Sequence, residues 1–186
     1  MKEKEQISIF IVEDVEESAL LLKSEIESTF GNTDIKVETF KDGEEEFKKA
    51  FKDKKPQIVI LDYNLNSNNS KAANGIEVLK WIKKENESTN VIMLTVEENL
   101  PIKPGLHSIK NGASDYIVKT GDVNRAISFS LASLFRLLEA ENETIKAKDE
   151  TKKAKKAIIK TKIFLWVFLS LFLGLLAVVL LLLNNN

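Results

Sequence analysis

The chain has 186 residues, with 27 basic and 28 acidic side chains, one histidine and no cysteine. A disulfide scaffold and thiolate chemistry are therefore excluded, and a lone histidine excludes a His/Cys metal cage. The small net charge hides three regimes: residues 1–145 carry 19 Lys and Arg against 26 Asp and Glu (net −7), residues 146–162 eight lysines against two acids (net +6), and residues 163–186 no charge. The acidic body argues against a nucleic-acid surface there, because phosphate contacts need clustered Lys and Arg.

In chain order, residues 7–12 (ISIFIV) predict a first strand and residues 16–29 a helix, with Ala19, Leu22, Ile26 and Phe30 on one stripe. Residues 35–40 predict a second strand and 43–51 a second helix. A third strand at 58–61 (IVIL) precedes a helix at 76–85, and a fourth at 91–94 (VIML) precedes a short helical segment near 107–111. Residues 116–118 predict the fifth strand, and a last helix begins near Val123. The strands read as continuous apolar runs, as expected where both faces are covered. Five strands alternating with helices predict an α/β fold, a doubly wound five-stranded parallel sheet. In such sheets the site lies at the carboxyl ends of the strands, near the topological switch point.

That rim is where the chemistry-bearing residues fall. Glu13 and Asp14 follow the first strand, Asp62 the third, Thr95 the fourth and Lys119 the fifth. Converging carboxylates repel one another, so a hard divalent cation with oxygen ligands is the natural resolution, Mg²⁺ by default. A lysine and a hydroxyl opposite them can hold the oxygens of a phosphoryl group.

In residues 6–138 this arrangement resembles the receiver domain of two-component response regulators (the flavodoxin-like, CheY-like fold). The acidic pair matches Glu13 and Asp14, the phospho-acceptor Asp62, the hydroxyl residue Thr95, the phosphate-contacting lysine Lys119 and the switch aromatic Tyr116. The stretch NGASDYIVK fits the family's approach to its last strand. The resemblance implies that Asp14, Asp62 and the backbone carbonyl of Asn64 ligate Mg²⁺, with Glu13 acting through water. It also implies a signalling module rather than an enzyme, with a sensor histidine kinase or phosphotransfer protein as partner and a further output protein. A phosphatase of the haloacid-dehalogenase type would need an aspartate two residues after the nucleophile, where Asn64 stands.

Several features depart from the family. Asp62 and Gly75 are separated by a long Asn- and Ser-rich loop without proline, which predicts a mobile segment. Val96 stands after the hydroxyl residue, where the family usually has Ala or Gly, and its bulk is expected to narrow access to the phosphoryl group. Thr120 replaces the usual proline after the lysine; a cis bond there would cost about 2.5–4 kcal/mol, so a trans turn is expected. Pro101, Pro104 and Gly105 shorten the fourth helix. His107, within it, reads as an ordinary surface histidine.

After residue 138 no second core follows. Ile127, Leu131, Leu134, Leu138 and Ile145 form a stripe expected to pack the last helix on the sheet, with a charged helical spacer at 139–162 and weak self-association as the alternative. Residues 163–183 (IFLWVFLSLFLGLLAVVLLLL) are uncharged and, as a helix, about 31 Å long, the thickness of a bilayer's hydrocarbon core. Ser170 and Gly174 add a small-xxx-small pair. Lys152, Lys153, Lys155, Lys156, Lys160 and Lys162 precede this span and only Asn184–Asn186 follow it, which places the preceding side in the cytoplasm. The expectation is a tail-anchored receiver at the cytoplasmic (inner) membrane. Two functions fit: a phosphorylatable membrane-bound receiver, or a receiver-like docking module that works without phosphorylation.

Overall fold

Apolar runs and amphipathic segments alternate along the chain, and each becomes an element of one α/β layer structure. The computed structural model describes residues 6–65, 74–95 and 102–184. The order is β1 (Ile7–Val12), α1 (Glu16–Thr29), β2 (Ile35–Phe40), α2 (Glu45–Lys54), β3 (Ile58–Asp62), α3 (Gly75–Glu85), β4 (Asn90–Thr95), α4 (Ile102–Lys110), β5 (Asp115–Val118) and α5 (Val123–Asn184). The five strands form one parallel sheet in the order β2-β1-β3-β4-β5.

Burial follows the sheet positions. β3 lies at the centre and is buried at all five residues, so IVIL has no polar alternation to show. β2 lies at the edge and alternates, with Lys36 and Glu38 directed outward. Lys36 and Lys54 both pair with Glu38, which occupies an otherwise unprotected edge with charge. One face of the sheet carries a core of Phe10, Val12, Val59, Leu61, Val91 and Met93 against Phe47 and Phe51 of α2 and Val78, Leu79 and Ile82 of α3. Its aromatic centre is compact: Phe47 packs against Phe10, Phe40, Phe51 and Trp81 at centroid distances of 5.6–6.3 Å, mostly edge-on. On the other face, Ile9, Ile11, Ile60, Ile92 and Leu94 are buried together with Ala19, Leu22 and Ile26 of α1 and Ile127 and Leu131 of α5.

Two helices differ from the sequence expectation. α2 runs on to Lys54, with Glu45 and Glu46 in its first turn and Lys52 and Lys54 in its last, the charge order that the helix dipole favours. α4 is longer than expected and starts at Ile102. Pro104 is its third residue, where a backbone N–H has no intrahelical acceptor, so a proline there removes no bond. The peptide bonds of the described residues are all trans, Lys119–Thr120 included. Pro101, Val96 and residues 66–73 of the long loop lie outside the described residues.

α5 is 62 residues long. Its sheet-facing stripe, Ile127, Leu131 and Leu134, is buried, whereas Ile145 is 57% exposed. The chain divides into two compact units between Leu134 and Phe135, and Val123–Leu175 of the described residues is long and apolar enough to cross a membrane.

Candidate functional site

Parallel register alone brings the strand ends together. Val12 pairs with Leu61, Asp62 with Leu94, and Thr95 with Val118. Glu13, Asp62, Thr95 and Lys119 therefore each sit at, or one residue past, the last paired position of a strand. β1 is flanked by β2 on one side and β3 on the other, so the chain's winding reverses beside it and leaves a crevice. Glu13, Asp14, Asp62 and Thr95 are all buried in that rim.

The carboxylates are close enough to interact strongly. Glu13, Asp14 and Asp62 each offer an oxygen within 4.8 Å of the other two. The Lys119 ammonium donates to Glu13 Oε2 at 2.6 Å and to Asp62 Oδ2 at 3.0 Å. The Asn64 backbone N–H donates to Asp62 Oδ1 at 3.3 Å, turning the chain just past the strand. Burial pushes the Glu13 carboxyl above its ordinary range; the Lys119 hydrogen bond opposes this, and the neighbouring Asp62 charge adds to it. For Lys119, burial pulls the ammonium down, but the Glu13 hydrogen bond and the charges of Asp62 and Glu13 prevail and hold it above the usual lysine range. Three carboxylates against one ammonium leave an excess of two negative charges. Hard oxygen donors with that excess suit a divalent cation such as Mg²⁺.

Two glycines shape this edge through close approach. Asn74 caps α3, accepting from the Glu77 backbone N–H at 3.0 Å while the Glu77 carboxylate accepts from the Asn74 N–H. The cap sets Gly75 against β3: a Cβ there would lie 2.2 Å from the Asp62 carbonyl oxygen and 2.8 Å from the Tyr63 Cα. Gly75→Ala is expected to destabilise the chain by about 1–3 kcal/mol, since the crowded atoms are backbone. Gly121→Ala, with nothing within 4 Å of the added carbon, is the control. Denaturant midpoints of the two variants compare them directly.

The second close approach is at Tyr116. Burial raises the pKa of the Tyr116 phenol, and the neighbouring Thr95 hydroxyl opposes that shift. The Tyr116 ring lies on Gly105 of α4, where a Cβ would come within 2.8 Å of Cε1. The sequence marks Gly105 only as a helix breaker; in the structure it is the slot for the aromatic ring. Its signal is visible in retrospect, as a buried small residue on the α4 face turned to β5. His107 is exposed on the same helix, and its role there is a carbonyl accepting from Asn111.

A parallel sheet of order 2-1-3-4-5 with an acidic, lysine-bridged switch point defines a flavodoxin-like domain. The chain belongs to the response regulator receiver domain family, whose model matches residues 9–129. Solved structures agree on the fold. The signal receiver domain assigned to a Luxo repressor protein from Vibrio parahaemolyticus is 23% identical, with 74% of this chain and 96% of that one covered and a TM-score of 0.61. The receiver domain of NtrX from Brucella abortus is 26% identical, with 68% and 97% covered and a TM-score of 0.56. Against a longer NtrX chain this protein spans 30% of the length. None of the curated proteins matches the chain.

Proposed function

We propose that the chain is a membrane-anchored response regulator receiver that takes a phosphoryl group on Asp62 and signals by phosphorylation-dependent protein binding. The observation that carries this is the placement of the Asp62 carboxylate at the switch point, among Glu13 and Asp14 and 3.0 Å from Lys119. An Asp62 oxygen attacks the phosphorus of a phosphohistidine on a sensor kinase or phosphotransfer protein. The O–P bond forms, the P–N bond breaks, and the electron pair returns to the imidazole nitrogen, which takes up a proton. Asp14, Asp62 and the Asn64 carbonyl would hold Mg²⁺ directly and Glu13 through water; the ion supplies positive charge against the phosphoryl oxygens.

Lys119 already binds Asp62 and can follow the new charge outward onto a phosphoryl oxygen. Thr95 turns its hydroxyl toward that oxygen, and this movement lets the Tyr116 ring leave its slot on Gly105, which changes the β4–β5 face. Water attack on the acyl phosphate resets the site. Val15, Leu20 and Leu21 leave an exposed apolar surface on and beside α1, adjoining the rim, which suits a partner helix that delivers the phosphohistidine. The apolar stretch of α5 and the lysines before it support an anchor with the receiver in the cytoplasm.

The test is incubation of the full chain, in vesicles, with a small acyl phosphate or phosphoramidate and Mg²⁺. One base-labile phosphoryl group per chain is expected, and none after chelation. No incorporation would favour the docking module that works without phosphate. Metal binding separates the acidic residues. Asp14→Asn removes a direct ligand charge and should weaken Mg²⁺ binding about tenfold or more, while Glu13→Gln weakens it less. Calorimetric titration ranks the two, and equal effects would contradict the direct and water-mediated assignment.

A further inference from the structure

The segment of α5 from 135 to 162 is half charged: 14 of its 28 residues are Lys, Arg, Asp or Glu. The eight positions at alternating spacings of three and four, Leu137, Ala140, Thr144, Ala147, Thr151, Ala154, Ile158 and Thr161, carry none. Placed without regard to the period, charges would fall on about half of these positions. All eight are exposed. The stripe is also distinct from the one that packs α5 on the sheet, which ends at Leu134.

Its hydroxyls point to an apolar contact. Thr144 donates to the Ala140 carbonyl at 2.9 Å, Thr151 to Ala147 at 2.8 Å and Thr161 to Ala157 at 3.1 Å. Each hydroxyl is satisfied within its own helix, so covering it with an apolar partner leaves no donor unpaired. The flanks identify the partner. With Leu137, Thr144, Thr151 and Ile158 as a positions and Ala140, Ala147, Ala154 and Thr161 as d positions, the g and e residues of a second, parallel, in-register copy oppose Arg136 to Glu141, Glu143 to Lys148 and Glu150 to Lys155. Three of the four g–e′ pairs are of opposite sign, the fourth sets Ala157 beside Lys162, and none is repulsive.

We propose that residues 135–162 of α5 form a parallel two-stranded coiled coil with the same segment of a second copy. The remaining lysines, such as Lys153 and Lys156, then lie on the outer face, away from each other. β-Branched residues at three of the four a positions suit two strands, and alanine at three d positions lets the backbones approach closely. Alanine also buries little surface, so the pairing is weak in solution and gains from confinement to one membrane. That gain, and only that, rests on the anchor reading.

Because the chain has no cysteine, single cysteines can map the seam in the full-length protein. Thr151→Cys, Ala154→Cys and Ile158→Cys should oxidise to disulfide-linked dimers at least severalfold faster than Asp149→Cys, Lys153→Cys and Lys156→Cys. Adding Glu143→Lys and Glu150→Lys to the Ala154→Cys chain should reduce cross-linking, and further adding Lys148→Glu and Lys155→Glu should restore it. Equal rates at all six positions, maxima at 149, 153 and 156, or no dimer would overturn the proposal. An alkaline wash of the same membranes tests the anchor separately, and the cross-linking pattern can be read in detergent whatever its outcome.

Discussion

Asp62→Asn is expected to abolish phosphoryl uptake from a small donor while leaving the fold intact. The substitution removes the proposed nucleophile and keeps its shape; Glu13 and Asp14 follow β1, whereas Asp62 ends β3, the strand paired with β4 and its terminal Thr95. Stability is not expected to fall. Lys119 keeps Glu13 at 2.6 Å, and the Asp62 charge that helps push Glu13 upward is gone. Labelling with radioactive donor reads the first effect and thermal denaturation the second. Wild-type labelling of the Asn variant would contradict the assignment. Loss of labelling together with loss of the folded transition would leave Asp62 as a structural residue.

Deleting residues 163–186 is expected to move the protein from the membrane pellet to the soluble fraction. Seventeen of the 21 residues of the span are Leu, Ile, Val or Phe, which on an insertion scale amounts to on the order of 5–10 kcal/mol. The lysines before the span add roughly 1 kcal/mol each near an anionic surface, and salt screens that part. The full chain should therefore stay bound through high-salt and alkaline washes, and the truncated chain should not. Release of the full chain by salt alone would mean that lysines, not the span, hold it. Protease added to right-side-out vesicles should spare the receiver, and protease added to inverted vesicles should remove it.

The rim was legible in the sequence because a parallel sheet ends its strands together. Each of the runs ISIFIV, IVIL and VIML stops at a polar residue, and the sheet order brings Glu13, Asp62 and Thr95 onto one edge. α4 was less legible. Pro101, Pro104 and Gly105 interrupt the pattern that marks a helix, and the contact that explains Gly105 is with Tyr116, eleven residues away on another element. The double ion pair of Lys119 was equally hidden, since Glu13 lies 106 residues from it. In α5 the uncharged stripe is mostly Ala and Thr, so hydropathy alone does not mark it, and only the pairing of g and e residues across two copies distinguishes it.

Direct mapping of the phosphorylated residue tests the assignment of Asp62 as the acceptor. Phosphorylate the full chain, reduce the acyl phosphate with borohydride, and sequence the peptides by mass spectrometry. A single conversion of aspartate to homoserine is expected, at Asp62 and dependent on Mg²⁺. Conversion at Asp14, or reduction of Glu13, with Asp62 untouched would contradict it.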